Sequence, residues 1–221
     1  MINFSLLFDL DGTLCDTDHL HHEAFSTLLK EFGRTITRDE YKTQIMGRPN
    51  DAIMRDLLPE VPVARHAHYA DRKEQMFRDS LDKLTPTPGL AELLDWAERH
   101  AIGVAVVTNA PRPNAEQMLK GLGLDTRIAT LVIGAELERA KPDPLPYLTG
   151  LQLLGGTADR ALAFEDSLPG IRAASGAGIP TYGIRTAYGD AEMRAAGATQ
   201  TITDFADAGL WRRLNAILSA A

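Results

Sequence analysis

The sequence has one cysteine, no surplus of basic residues and no long apolar run. A single thiol, Cys15, excludes an internal disulfide, and a small packed side chain is its expected role. The net charge of −7 leaves no basic surplus to neutralise nucleic acid or an anionic membrane. The N-terminal apolar run is too short for a signal peptide or a membrane span. We therefore expect a cytoplasmic protein whose partner is a small molecule, with no binding to nucleic acid or membrane.

The first third of the chain changes from one short strand to a long helical segment. Residues 3–8 form an apolar run typical of a buried strand. Apolar residues then recur at helical spacing over 18–33, and the pair Thr37 and Glu40 matches a capping box. Polar residues with a helical pattern follow over 64–83.

The rest of the chain alternates helices with strands. A proline-rich stretch at 85–89 ends the helical segment. The alternation beyond it predicts an α/β fold, a Rossmann-like parallel sheet with helices on both faces, which the first strand also fits. We predict an α/β core of 1–15 and 86–221, and an inserted helical cap of 16–85. The later strands are predicted at 103–107, 130–133, 161–164, 179–183 and 199–203.

The segment Asp9-Leu10-Asp11-Gly12 directly follows the first predicted strand. Alternate residues of an extended chain point the same way, so both carboxylates can face one crevice. Two carboxylates that close repel each other unless a cation lies between them or one is protonated. Oxygen ligands favour a hard ion such as Mg²⁺. The structural alternative is a strand-ending turn built on Asp11 and Gly12.

Further polar groups follow three other predicted strands. Since parallel strands place their carboxyl ends at one edge of a sheet, where α/β proteins bind ligands, we expect these groups to converge there. Taken singly, each has a structural alternative: an N-cap, a solvated loop lysine and an acidic helix start. In chain order the groups are Thr108-Asn109, Lys141 and Glu165-Asp166-Ser167.

This set of motifs resembles the four motifs of the haloacid-dehalogenase superfamily. The resemblance covers essentially the whole chain. The early helical insertion is similar to the branch with a small helical cap, which contains phosphoglycolate phosphatases, sugar-phosphate phosphatases and beta-phosphoglucomutases. True haloacid dehalogenases lack an acid at the position of Asp11. Phosphonate hydrolases of the superfamily use a cap lysine, but Lys30, Lys42 and Lys73 are expected on solvated helix faces.

The resemblance implies a role for each catalytic candidate. Asp9 would attack phosphorus and become an aspartyl-phosphate. Asp11 would protonate the leaving oxygen and then act as a general base on water, and the first of these steps requires a raised pKa of its carboxyl. Lys141 would offset the repulsion between Asp9 and the phosphate, while Thr108 would donate a hydrogen bond to a phosphate oxygen.

The resemblance also implies the binding groups. The backbone N–H of Asn109 or Ala110 would assist Thr108 at the phosphate. Mg²⁺ would be held by carboxylates and by one backbone carbonyl, with water and a phosphate oxygen completing its coordination. The implied ligands are a carboxylate oxygen of Asp9, the carbonyl of Asp11, and Asp166, with Glu165 nearby.

Two activities compete within this branch. His21 and Lys73 fall where beta-phosphoglucomutases carry a histidine and a sugar-contacting lysine, which favours a hexose-phosphate mutase. Against this, Arg48 comes earlier than the mutase arginine, and the segment 108–110 is more usual in phosphatases. Arg48 suits an anionic group of the substrate, because a guanidinium binds such groups bidentately. We therefore predict a phosphatase acting on a small phosphorylated metabolite, with the mutase second and a catalytically idle binding module third.

Overall fold

The structure, a computed structural model, describes residues 4–81 and 84–219. Its centre is a six-stranded sheet in the order β3-β2-β1-β4-β5-β6, and every described pair of neighbouring strands is parallel. The α/β prediction is thereby confirmed. The strands are β1 Ser5–Phe8, β2 Gly103–Thr108, β3 Thr130–Ile133, β4 Ala161–Glu165, β5 Thr181–Ile184 and β6 Gln200–Ile202.

The central strand, β1, is buried on both faces of the sheet. Leu6 and Phe8 pack into one apolar cluster, whereas Leu7 packs into the other. This division follows from the alternation of side chains along a strand. Phe8 pairs in register with Val106 and with Phe164, so β1, β2 and β4 end at the same edge of the sheet.

Among the described residues, six α-helices accompany the strands after β1. Helices α5, α6 and α10 contribute to the cluster around Leu6 and Phe8, and α7 and α8 contribute to the cluster around Leu7. They are α5 Leu90–Arg99, α6 Arg112–Gly121, α7 Leu145–Leu154, α8 Leu168–Gly176, α9 Asp190–Ala196 and α10 Ala208–Ser219.

In the described part of the chain between β1 and α5 there are four α-helices, which we call together the insert. They surround their own apolar cluster, which includes Phe25, Tyr41 and Ile53. The capping box predicted at Thr37 and Glu40 is present. The insert consists of α1 Asp18–Lys30, α2 Arg38–Gln44, α3 Asn50–Leu57 and α4 His66–Asp79.

The two connections to the insert run side by side. The Thr87 N–H donates to the Leu14 carbonyl at 2.8 Å, and the Thr87 hydroxyl donates to the Thr13 carbonyl at 2.7 Å. Cys15, which follows Leu14 in the first connection, is fully buried, as expected of a small packed side chain. The domain boundaries at 15/16 and 85/86 stay a prediction. Parts of the predicted segments, at 1–3, 82–83 and 220–221, lie outside the described residues.

Two local predictions differ from the structure. Helix α9, only seven residues long, carries no strong periodic pattern and was not predicted; the Glu192 carboxylate accepts the Gly189 N–H at its start. Strand β5 begins at Thr181 and not at Ile179, because Pro180 has no N–H for the ladder. No helix of residues 4–81 and 84–219 has the length and apolarity to cross a membrane.

Candidate active site

Both carboxylates of the opening motif line one cleft between the sheet edge and the insert. Asp9 extends β1 by one residue, since its N–H donates to the Phe164 carbonyl at 2.9 Å. The chain then turns at Gly12, where φ is +76°. A side chain at Gly12 would overlap the carboxylate of Asp166. Because residue 12 is a glycine, Asp166, which directly follows β4, can pack against the opening motif.

Lys141 reaches the same point from the loop after β3. Its Nζ atom donates to Asp9 Oδ1 at 2.6 Å and to Glu165 Oε1 at 2.5 Å, and its side chain is 3% exposed. Burial alone lowers the pKa of a lysine, but the Asp9 and Glu165 charges outweigh it and raise the pKa of Lys141. The ammonium therefore stays charged beside Asp9, and the alternative of a solvated loop lysine is wrong.

Glu165, which contacts Lys141, is completely buried. Besides Lys141, its Oε1 atom accepts the Tyr147 hydroxyl at 2.7 Å, and its Oε2 atom accepts the Ser167 hydroxyl at 3.1 Å. A side chain at Gly170 would overlap this carboxylate, so α8 can approach it only with glycine there. Each Glu165 oxygen thus has protein donors, an arrangement that holds Lys141 in place.

Three carboxylates at this edge could hold a cation. One oxygen from each of Asp9, Glu165 and Asp166 lies within 4.8 Å of the others. Burial raises the pKa of Asp166 well above its usual range, and the charges of Asp9 and Asp18 raise it further. Lys141 is one compensating charge among these acids, and an oxygen-only donor set fits a hard divalent cation such as Mg²⁺.

The last residue of β2, Thr108, and the residues after it connect the site to its surroundings. Thr108 is buried, and its hydroxyl oxygen accepts the Ala110 N–H at 2.9 Å, which leaves the hydroxyl proton free to donate. The Ala110 N–H was expected to bind the phosphate, but in the structure it donates to Thr108 instead. The Asn109 amide donates to the Lys141 carbonyl at 3.3 Å and to the Gly47 carbonyl of the insert at 3.4 Å.

Asp11 is held by two donors. The Thr17 hydroxyl donates to Asp11 Oδ1 at 2.6 Å, and His21 Nε2 lies 3.1 Å from the same oxygen. Burial alone raises the pKa of Asp11, but the hydrogen bonds from His21 and Thr17 and the nearby charge of Lys73 lower it below its usual value. The expectation of a raised pKa is therefore wrong for this arrangement, which stabilises the carboxylate.

Lys73 is buried and not on a solvated helix face, which corrects that expectation. Its Nζ atom donates to Glu74 Oε1 at 2.8 Å and lies 3.1 Å from His21 Nδ1. The side chain is covered because α4 packs against α1, and Nζ lies 4.5 Å from the centre of the Phe25 ring. Lys30 is exposed in the structure, in line with the prediction of a solvated helix face. Lys42 is half-buried.

Arg48 lines the cleft from the insert but is partly engaged there. Its guanidinium donates to Asp56 Oδ2 and to the Gln44 carbonyl, each at 2.5 Å. Of the predicted site residues, the structure brings all but the buried Glu165 to the wall of one cleft. Thr17, Glu74 and Tyr147 hold this site together without any motif that would mark them in the sequence.

The sequence matches the family model described as haloacid dehalogenase-like hydrolase over residues 6–184. It is 29% identical over 202 residues to the phosphorylated carbohydrates phosphatase of Thermotoga maritima, covering 90% of this chain and 93% of that protein. It is 31% identical over 225 residues to the phosphoglycolate phosphatase of Rhodospirillum rubrum, covering 94% and 90%. The fold is similar to CbbY from Rhodobacter sphaeroides, crystallised in complex with xylulose-(1,5)-bisphosphate, with a TM-score of 0.81, 29% identity and coverage of 95% and 97%.

Proposed function

The chain belongs to the haloacid dehalogenase-like hydrolases, and from that premise we propose that it is a Mg²⁺-dependent phosphatase. Its substrate is a small phosphate monoester of the sugar-phosphate or phosphoglycolate type, and the reaction passes through an aspartyl-phosphate on Asp9. The observation that carries the proposal is the contact of 2.6 Å between Asp9 and Lys141, beside Asp166 in one cleft. The contact supports the proposal because a candidate nucleophile, a cation and a candidate metal ligand lie within one cleft.

In the first step, a carboxylate oxygen of Asp9 attacks phosphorus, and the bond from phosphorus to the ester oxygen breaks. Two anions repel each other, and the charge of Lys141 offsets this repulsion. The hydroxyl of Thr108 donates to the phosphoryl group that is transferred. Asp9 and Asp166, with Glu165 beside them, would hold Mg²⁺, which would supply further positive charge at the phosphate. The leaving oxygen takes the proton of Asp11.

In the second step, water attacks phosphorus, the bond to Asp9 breaks and the proton of the water passes to Asp11. The hydrogen bonds from Thr17 and His21 stabilise the carboxylate form that this step needs. The first step needs the acid form, and the same contacts disfavour it. His21 therefore has opposite effects on the two steps.

A hexose-phosphate mutase is the second candidate, and one observation favours it. His21, at the position of the mutase histidine, contacts both Asp11 and Lys73. A mutase would return the phosphoryl group from Asp9 to a second hydroxyl of the sugar, whereas a phosphatase gives it to water.

The test is a panel of phosphorylated metabolites with Mg²⁺, read by release of inorganic phosphate. We expect release from at least one sugar phosphate or from phosphoglycolate, loss of activity with EDTA, and loss in Asp9→Asn. Asp16→Asn, which removes an exposed carboxylate from the same segment, is the control and retains activity. Conversion of glucose 1-phosphate to glucose 6-phosphate without free phosphate would replace the phosphatase by the mutase. A folded protein that turns over nothing would favour the binding module.

A further inference from the structure

A buried polar bridge joins the core to the insert behind the active-site cleft. Asn114, on helix α6 of the core, is completely buried. Its Nδ2 atom donates to Glu74 Oε2 at 2.5 Å, and its Oδ1 atom accepts from Arg78 Nη1 at 2.7 Å. Both partners are on α4 of the insert. Since one is a pure acceptor and the other a pure donor, they determine the orientation of the Asn114 amide.

Glu74 also contacts a cation, the ammonium of Lys73. Its Oε1 atom accepts from Lys73 Nζ at 2.8 Å and from Asn50 Nδ2 at 2.7 Å, so both oxygens of this buried carboxylate have donors. Burial alone raises the pKa of Glu74, but the charge of Lys73 and the hydrogen bonds from Lys73 and Asn50 lower it, which keeps the carboxylate ionised. A fully satisfied buried network of this kind has one well-defined geometry.

Lys73 in turn sets the tautomer of His21. An ammonium group donates and cannot accept, so His21 Nδ1, 3.1 Å away, must be the acceptor. A neutral ring then carries its proton on Nε2, which lies 3.1 Å from Asp11 Oδ1 and donates to it. The ring stacks on Phe77 with a centroid distance of 3.8 Å, which leaves it little room to turn.

We infer that Asn114 and Glu74 form a positioning pair, which couples docking of the insert on the core to the orientation of Lys73 and His21 toward Asp11. Glu74 lines the cleft, but both residues act through others: Asn114 acts on Glu74, and Glu74 acts on Lys73. When the insert separates from the core, Asn114 withdraws from Glu74, and Lys73 loses its fixed position. The consequence for catalysis rests on the proposed function, whereas the consequence for the His21 tautomer does not.

The first test reads the tautomer directly, by the ¹⁵N chemical shifts of the His21 ring at neutral pH. His21→Gln identifies the signals among the six histidines. We expect the Nε2–H tautomer in the unmodified protein. Asn114→Asp sets two carboxylates against each other, so Glu74 and Lys73 shift and the tautomer preference is reduced. An Nδ1–H tautomer in the unmodified protein, or an unchanged preference in Asn114→Asp, would overturn the inference.

The second test exchanges the partners. Glu74→Gln combined with Asn114→Asp restores the bond with its polarity reversed, since the Gln amide donates to the Asp, which still accepts from Arg78. We expect kcat to fall about 10-fold to 100-fold in Asn114→Asp with little change in KM, because a displaced catalytic group slows the chemical step. The double variant recovers most of this loss, and a double variant no faster than Asn114→Asp would contradict the pair.

The matched control is Gln117→Ala on the same helix. Gln117 donates to the Arg78 carbonyl at 3.1 Å, so it bridges core and insert without contacting Glu74. We expect its kcat and His21 tautomer to be unchanged, and equal losses in Gln117→Ala and Asn114→Asp would reduce the pair to ordinary interface contacts. If Asn114→Asp does not fold, Asn114→Ala replaces it in both tests with a smaller expected effect. If no substrate is found, the proposed function fails while the tautomer measurement still decides this inference.

Discussion

Lys141 Nζ lies between two carboxylates: it is 2.5 Å from Glu165 Oε1 and 2.6 Å from Asp9 Oδ1. The ammonium is therefore fixed between one carboxylate that supports it and one that is proposed to react. All three side chains are at least nine-tenths buried. Screening by solvent is weak in such a place, so the loss of either partner has a large effect.

Lys141→Met tests this arrangement on both activity and stability. We expect kcat to fall by about 10²- to 10³-fold, because a charge that stabilises the transferring group is removed. We also expect the free energy of unfolding to fall by about 3–5 kcal/mol, since Glu165 stays buried without its cation. Phosphate release and urea unfolding measure the two effects. Lys120→Met, on the exposed face of α6, is the control. Comparable losses in both variants would contradict the assignment.

Tyr147→Phe removes one donor to Glu165 and preserves the ring. We expect the free energy of unfolding to fall by about 1.5–3 kcal/mol, the range for a hydrogen bond to a charged group. Activity should fall less than in Lys141→Met, because the contact between Lys141 and Asp9 remains. Tyr69→Phe, in the insert, provides the comparison by urea unfolding. A Tyr147→Phe protein as stable as the unmodified one would show that the hydroxyl contributes nothing.

His21→Ala tests the pKa of Asp11. The hydrogen bond from His21 lowers this pKa, so its removal raises it. A step that needs the Asp11 carboxylate loses rate as the pH falls through the pKa, and in the variant this loss begins at a higher pH. The pH profile of dephosphorylation of the Asp9 phosphoenzyme, followed by single-turnover kinetics, measures the change. His19→Ala, exposed on the same helix, should leave the profile in place. A shift to lower pH in His21→Ala would contradict the assignment.

Asp166→Asn tests the metal site. Mg²⁺ that binds only the folded protein stabilises it, by about 2.7 kcal/mol at a concentration 100 times its Kd. We expect Mg²⁺ to raise the Tm of the unmodified protein and EDTA to reverse the effect, whereas Asp166→Asn requires far more Mg²⁺ for the same shift. Asp125→Asn removes an exposed carboxylate and should respond normally. Equal responses in both variants would place the ion elsewhere.

The parallel sheet could be predicted because its signals are local. Strands β1 to β4 are short apolar runs with helices between them, and the polar residues of the site follow directly at their ends. Once parallel pairing is assumed, the meeting of Asp9, Thr108 and Asp166 at one edge follows from the direction of the strands. The short helix α9 was missed because it has too few periodic residues to stand out, and β5 starts two residues later than predicted because Pro180 has no N–H for the ladder.

The chemistry of the cleft was harder to predict where it depends on burial. Lys73 looks solvated in a polar helix, and only the packing of α4 on α1 covers it. Asp11 was expected to have a raised pKa, yet Thr17 and His21 meet it on one oxygen and lower the pKa. A pKa depends on the sum of burial and neighbouring charges, and a one-dimensional pattern contains neither.

The sequence by itself determined the kind of protein: a parallel α/β sheet, a helical insertion and a set of strand-end acids, a threonine and a lysine that resembles one family. Those features depend on residue types at short spacing. Only the tertiary structure decided that Glu165 supports Lys141, and that Asn114 reaches Glu74 across 40 positions of the chain. Contacts between distant segments arise from how the helices pack, because a buried polar group must find its partner wherever the fold brings one within reach.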